Sequence, residues 1–416
     1  MTSQPRYNRR QFLWRSSAAV IAVPTLSQLL AACGSDDPST SAAQGSVTLD
    51  PANPTPLPVF DDNTAIESGL SPEAGPLTLL TWADYVPAEI LKEFEKEYGV
   101  TIEQVTVNSA DEALRKVASG EVPFDLYAGL VEVMPPLIEG KLVQPLNHDY
   151  LPNLTNIWPT LQDPWYDPGS VYSIAAVVGA FGIGWRTDII DIDIPNLENP
   201  WDAMWDPAAK DIVAFYDQFR EALAFSLFHN GVKNPNTPTD EELAAAVEGL
   251  RSLIADNGAR IGDNVGFAGL GEGTYGVVHS FQGDSQYAEF SMPQGSDPSV
   301  LQYVFPPAAT DGAVGGTVSN DFWMLSSSAK SPVLAHEFIN WVTGQEPAQS
   351  WYELYGLQLP QNHLTPEVLI SEGIVPEQLS TQIMTPEGYD QGQWVLPLTE
   401  AQQQRLVDAW AEVQRG

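Results

Sequence analysis

Three side chains suited to holding a positive charge stand close together in the stretch LTLLTWADYV, namely Trp82, Asp84 and Tyr85. A carboxylate between two aromatic rings fits a cation with an alkyl body: the rings offer π-faces and apolar walls, and the carboxylate supplies the counter-charge. The same pattern also serves plain core packing after a strand, so its meaning depends on whether further acids and rings reach the same place. Other chemistries find less support. The five histidines (His148, His229, His279, His336 and His363) show neither a His-Glu-x-x-His pair nor another metal-ligand spacing, and no Gly-x-Ser-x-Gly elbow is present. Gly269, Gly271 and Gly273 lack the dinucleotide fingerprint and read as a flexible loop. Neither an enzyme nor a resident cofactor or metal is expected.

The apolar run Leu77 to Leu80 has the length and flanks of a buried strand, and Pro87 opens a helix just after the three candidate residues. In an open α/β sheet, ligands sit in the crevice beyond the strand ends. The helix from Pro87 to Tyr98 gathers Ile90, Leu91 and Phe94 on one face and stops at Gly99. Val100 to Val107 reads as a strand, Ser109-Ala110-Asp111-Glu112 as a capping box, and Phe124 to Tyr127 as the next strand. This βαβαβ order predicts a mostly parallel sheet covered by helices. A second α/β pattern follows Trp185, with strands at Ile212, Tyr275 and Leu301 and a capping box at Thr239-Asp240-Glu241-Glu242. A strand from Asp321 to Leu325 then leads into a helix at Ser331-Pro332.

At 416 residues and 43% hydrophobic content the chain can bury a core in each of two lobes. Arg9 and Arg10 ahead of Phe12 and Leu13 look like a twin-arginine export signal, and the apolar run after them is too short to span a bilayer. Cys33, the only cysteine, follows Leu30-Ala31-Ala32 as in a lipobox, which excludes an internal disulfide and implies cleavage and lipid attachment there. The expected division is therefore an export signal over residues 1–32 and a disordered tether over 33–75. Lobe 1 is expected over 76–184 with a return near 316–345, and lobe 2 over 185–315 with a C-terminal segment near 346–416. The formal charge of −36 disfavours nucleic acid and anionic ligands, and loss of the arginine-bearing signal would make it more negative still.

Taken in order, TWADYVP, FDLYAGL, YDPGSVYSI, GAFGIGW, PWDAMWDPAAKD, GDSQ and the segment from Asp321 to Val342 resemble the polyamine-binding proteins of ABC importers, the spermidine and putrescine receptors. The resemblance runs collinearly from Leu77 to the end. It implies an α/β, two-lobed periplasmic-binding-protein-like fold with hinge crossovers and the ligand in the cleft. By position in the shared motifs it implies ligand-binding roles for Trp82, Asp84, Tyr85, Glu221, Phe281, Asp284 and Asp321. It further implies a small cationic ligand, an ABC permease as partner, a monomeric lipoprotein anchored at Cys33, and residence on the outer face of a cell membrane.

The sequence also departs from that pattern. Leu130 and Glu132 stand where many members have a Ser-x-Tyr pair, and Ser319 where they carry an aromatic. Gln218 replaces an acid, with Asp217 adjacent, and Leu357 replaces a late aromatic for which Tyr355 or Trp394 could compensate. These differences bear on which polyamine is bound more than on cation binding; the other readings are another organic cation, a basic amino acid, a metal, or a receptor feeding a sensor. Calcium would need six to eight oxygens about one point, whereas a diamine needs acids separated by an alkyl-lined gap, which Trp82, Tyr85 and Phe281 suit better.

Overall fold

The run at Leu77 forms β1 (Leu77–Trp82), with Leu77, Leu79 and Leu80 fully buried. The computed structural model describes residues 47–415 apart from Asp84, Glu121 and residues 307–314. The export signal, Cys33 and Asp84 thus lie outside the described residues.

Helix α1 (Ala88–Tyr98) follows Pro87, buries Ile90, Leu91 and Phe94, and ends at Gly99, whose φ of 68° is the left-handed conformation that favours glycine at a helix end. Next come β2 (Ile102–Val107), α2 (Ala110–Ser119) and β3 (Leu126–Leu130). Ser109 caps α2 by accepting from the Glu112 N–H, while the Glu112 carboxylate accepts from the Asn108 N–H rather than closing the box on Ser109. A 3-10 turn (Val131–Val133), α3 (Met134–Glu139) and β4 (Val143–Gln144) precede the long strand β5 (Ser173–Arg186).

Then follow β6 (Val213–Tyr216), α4 (Phe219–His229), α5 (Asp240–Ala255), β7 (Arg260–Gly262), β8 (Val277–Phe281), α6 (Asp284–Ala288) and β9 (Leu301–Val304). Thr239 and Glu242 complete a full capping box on α5. The chain closes with β10 (Thr317–Ser326), α7 (Pro332–Val342), α8 (Gln345–Tyr355), β11 (Gln393–Trp394) and α9 (Glu400–Arg415).

The chain divides into two compact units, residues 1–176 with 321–347 and residues 177–320 with 348–416, and it passes between them within β5, β10 and α8. In the first unit β1 lies parallel to both β2 and β3, as the crossover helices require, and β10 runs antiparallel to β3 with Asp321 opposite Leu130. In the second unit β6 is parallel to β7 and β8, and β5 is antiparallel to β8 and β9. The sheets are thus more mixed than the βαβαβ pattern predicts, because β5 and β10 re-enter against the direction of their neighbours. The core of the second unit joins Trp201, Phe215, Phe225 and Phe228 under α4, with Trp410 of α9 edge-on to Phe215 at 6.4 Å.

The expected tether is corrected over its later half. Leu57 and Phe60 are buried, and the Tyr172 hydroxyl donates to the Pro58 carbonyl at 2.6 Å. Asn63 donates to the Val143 carbonyl at 2.8 Å, Lys141 pairs with Asp62 at 2.7 Å, and Glu73 accepts from the Leu334 N–H at 2.9 Å. This strap lacks a core of its own, but it places two apolar side chains and a series of polar groups against the first unit. The Gly269–Gly273 expectation is also corrected. A π-helical turn (Val265–Gly269) and a helical turn (Leu270–Glu272) pack here, and a Cβ on Gly271 would stand 2.2 Å from the Ala288 carbonyl oxygen.

Candidate functional site

Each unit carries its own group of acids and rings. In the first, β1 delivers Trp82, partly exposed, and then Tyr85, whose ring is buried edge-on against Trp323 at 6.0 Å. Trp323 is in turn set edge-on to Phe338 of α7 at 5.5 Å, so the aromatic wall is backed by the core. The Tyr85 hydroxyl hydrogen-bonds Asp321, which β10 presents opposite the end of β3.

Burial pushes the Asp321 carboxyl up to about 7; the Tyr85 hydrogen bond opposes this and the negative charge of Glu132 adds to it. Burial followed by the Asp321 charge likewise holds the Tyr85 hydroxyl well above its ordinary range. The first unit therefore favours the neutral form of this acid, and an incoming cation would reverse that preference.

In the second unit Asp284 begins α6 and is treated differently. Its Oδ2 accepts from the Tyr216 hydroxyl at 2.7 Å, the Phe281 N–H at 2.7 Å and the Ser280 hydroxyl at 3.3 Å. A Cβ on Gly266 would stand 2.4 Å from that oxygen, so only glycine lets the π-helical turn approach the carboxylate. Three donors thus fix the geometry of the Asp284 carboxylate. The Phe281 ring stands edge-on to Phe181 at 5.5 Å and lies over Gly179, whose added Cβ would be 3.1 Å from both that ring and the Ser319 hydroxyl.

Glu221 lies in the first turn of α4 and accepts a hydrogen bond from the Thr317 hydroxyl. Thr317, Ser319 and Asp321 are alternate residues of β10. Trp394, in β11, pairs with Val318 and stands edge-on to Tyr389 at 5.6 Å, and its carbonyl accepts from Asn236 at 2.8 Å. Arg220 is turned to the Asn236 side-chain oxygen at 3.0 Å. Tyr355 ends α8, and the following Gly356 places its carbonyl beside Gly283, where a Cβ would be 2.9 Å away.

Asp217 is exposed, accepts from Gln414 of α9 at 3.4 Å, and stands near Asp263, whose carboxyl is raised by burial and then by the Asp217 charge. Asp217 follows the last residue of β6, Tyr216, which turns inward to Asp284. Sequence reasoning chose the acid and missed the tyrosine beside it. It also missed Thr317 and Gly266. The place of Tyr216 at a strand's carboxyl end was the available signal; nothing local marked Gly266. His279 is packed among Phe181, Trp201 and Phe225, and burial pushes it down to about 3, which makes it a neutral core residue. Among the described residues no group of three His, Cys, Asp or Glu is placed to hold a metal ion.

Each of the two α/β units carries acids and rings close together, and the sequence model of the bacterial extracellular solute-binding proteins matches residues 89–367. The chain belongs to that family. Among its relatives, the spermidine/putrescine-binding periplasmic protein of Salmonella typhimurium is 26% identical over 307 residues, covering 72% of this chain and 83% of the relative. The putrescine-binding periplasmic protein SpuD of Pseudomonas aeruginosa is 23% identical over 350 residues, covering 82% and 92%. The chain is similar in fold to the spermidine/putrescine ABC transporter substrate-binding protein PotD of Streptococcus pneumoniae. That likeness has a TM-score of 0.66 and 19% identity, over 82% of this chain and 98% of the other. This solute-binding protein accordingly has the two-lobed fold of its family.

Proposed function

We propose that this solute-binding protein captures a linear polyamine, putrescine or spermidine, for delivery to an ABC permease, and that it is exported and anchored by lipid at Cys33. The names of its relatives support the ligand class and the importer role. The observation that carries the reading is Asp321, an acid held by Tyr85 beside Trp323 and pushed toward its neutral form. A cation beside such a carboxyl would favour its charged form. A linear polyamine has an ammonium at each end, which an acid such as Asp321 would meet, and methylenes suited to an aromatic ring such as Trp82. No helix of the described residues is long and apolar enough to cross a membrane, which fits attachment by lipid rather than by a span.

Calorimetry with putrescine, spermidine, cadaverine, arginine and choline tests the proposal. A polyamine at a hundredfold excess over its Kd should raise the unfolding free energy by about 2.7 kcal/mol. Absence of any polyamine response would refute the proposal, and a tight response to arginine alone would replace it with capture of a basic amino acid.

A further inference from the structure

Glu132 enters the sequence as a departure, an acid where many members of the resembled group have tyrosine. In the structure it lies in the Val131–Val133 turn, two residues beyond Leu130, the residue paired with Asp321 across β3 and β10. Its charge reaches both Asp321 and the Tyr127 hydroxyl.

Tyr127 is the second observation. Its ring leans along β3 over Gly129, where a Cβ would stand 2.4 Å from Tyr127 Cε1, and it thus extends toward the carboxyl end of the strand. The side chain is 1% exposed and its hydroxyl has no hydrogen-bond partner among the described residues. A buried hydroxyl left in that state costs free energy until a ligand group meets it. Burial, then the charges of Asp321 and Glu132, hold it in the protonated form, so it is available both to accept from an ammonium and to donate to a carboxylate.

We infer that Glu132 and the Tyr127 hydroxyl join Asp321 as the acceptors of one primary ammonium head of the ligand. A primary ammonium has three N–H donors and no acceptor, and three oxygen-bearing groups from two chain segments match that number. A quaternary ammonium of the same charge has no N–H and would leave the Tyr127 hydroxyl buried and unmet. The inference rests on the polyamine reading and adds to it a residue and a selectivity: this end of the first unit distinguishes –NH3+ from a methylated head.

The test is calorimetry with putrescine and with 1,4-bis(trimethylammonio)butane on the wild type and on Glu132→Gln, Glu132→Asp, Tyr127→Phe and the exposed control Glu103→Gln. A hydrogen bond to a charged group contributes enough that Glu132→Gln should weaken putrescine about tenfold to a hundredfold. Glu132→Asp should recover part of that loss and Glu103→Gln should change little. Wild type should prefer putrescine over the methylated ligand, and the preference should shrink in Glu132→Gln and Tyr127→Phe. Melting curves of the empty variants confirm that each is folded. If wild type binds no polyamine, the parent reading fails. If wild type binds and Glu132→Gln binds equally well, or if the preference for the primary amine survives both substitutions, the role of Glu132 and Tyr127 falls while polyamine capture stands.

Discussion

Asp321 and Asp284 show how one residue type is prepared in two ways. Asp284 has three donors on one oxygen, and its orientation is fixed before any ligand arrives. Asp321 has the Tyr85 hydroxyl against burial and the Glu132 charge, and titrates near 7. The groups facing it are Tyr85 from the end of β1, Tyr127 from β3 and Glu132 from the turn after it. The sign of the pH effect follows. In the empty protein Asp321 holds a proton below about 7 and must lose it to meet an ammonium. Polyamine affinity should therefore fall as pH drops below that value, by up to about tenfold per pH unit, with one proton released per ligand. Stability of the empty protein runs the other way. The contribution of this raised acid is present below the ordinary carboxylate value and is lost as pH rises through about 7. Titrations between pH 5.5 and 8.5 in two buffers of different ionisation enthalpy check both the slope and the proton count. Asp321→Asn should weaken binding and flatten the profile, and an unchanged slope in that variant would assign the proton to another group.

At the scale of elements, the site depends on how closely backbone can approach side chain. The π-helical turn reaches Asp284 because Gly266 has no Cβ, and its φ is not in the left-handed range, so alanine is acceptable to the backbone there. Gly266→Ala should leave the fold intact while displacing the carboxylate from Tyr216 and Phe281. The expected result is a loss of polyamine affinity of about tenfold or more with a drop in melting temperature of only a few degrees. Tyr216→Phe keeps the spacing and removes one donor, and it should produce a smaller loss. If Gly266→Ala bound with wild-type affinity, the position of the Asp284 carboxylate would not matter to capture.

For the whole molecule, the strap changes how the body would be held at a membrane. Its first described contact is Val47 N–H to Glu139 at 2.5 Å, so only residues 34–46 separate Cys33 from a fixed point on the first unit. Phe60 is buried in the strap, with the Lys141 ammonium 4.9 Å from its ring centre. Phe60→Ala should lower stability by about 2–4 kcal/mol, the lower part of the range for large-to-small core changes, because the strap can partly lift away. Polyamine affinity should be unaffected, since no candidate ligand residue lies in the strap. Chemical unfolding and calorimetry on the same sample separate the two effects. Cys33→Ser should move the protein from the membrane to the soluble fraction with binding unchanged, and membrane retention of that variant would refute the lipid anchor.

The sequence by itself determined the α/β class, the order of strands and helices, and the helix boundaries set by local chemistry. Gly99 ends α1 and Thr239 with Glu242 starts α5 through bonds that span only a few residues, so the signal and the structure share one scale. It also named Tyr85, Asp284 and Asp321 as candidates, through the order of the shared motifs. Tertiary structure decided the rest. Whether an acid is satisfied depends on partners far away in sequence, such as Tyr216 for Asp284 and Tyr85 for Asp321, and no local pattern encodes those distances. Tyr216, the last residue of β6, turns to Asp284, whereas Asp217 just beyond the strand is exposed, and only the tertiary structure tells the two neighbours apart. Gly266 matters only through a carboxylate brought to within 2.4 Å of its missing Cβ by a different element. The strap reads as disorder by composition, since it has few apolar residues and its contacts reach residues of the first unit far away in sequence.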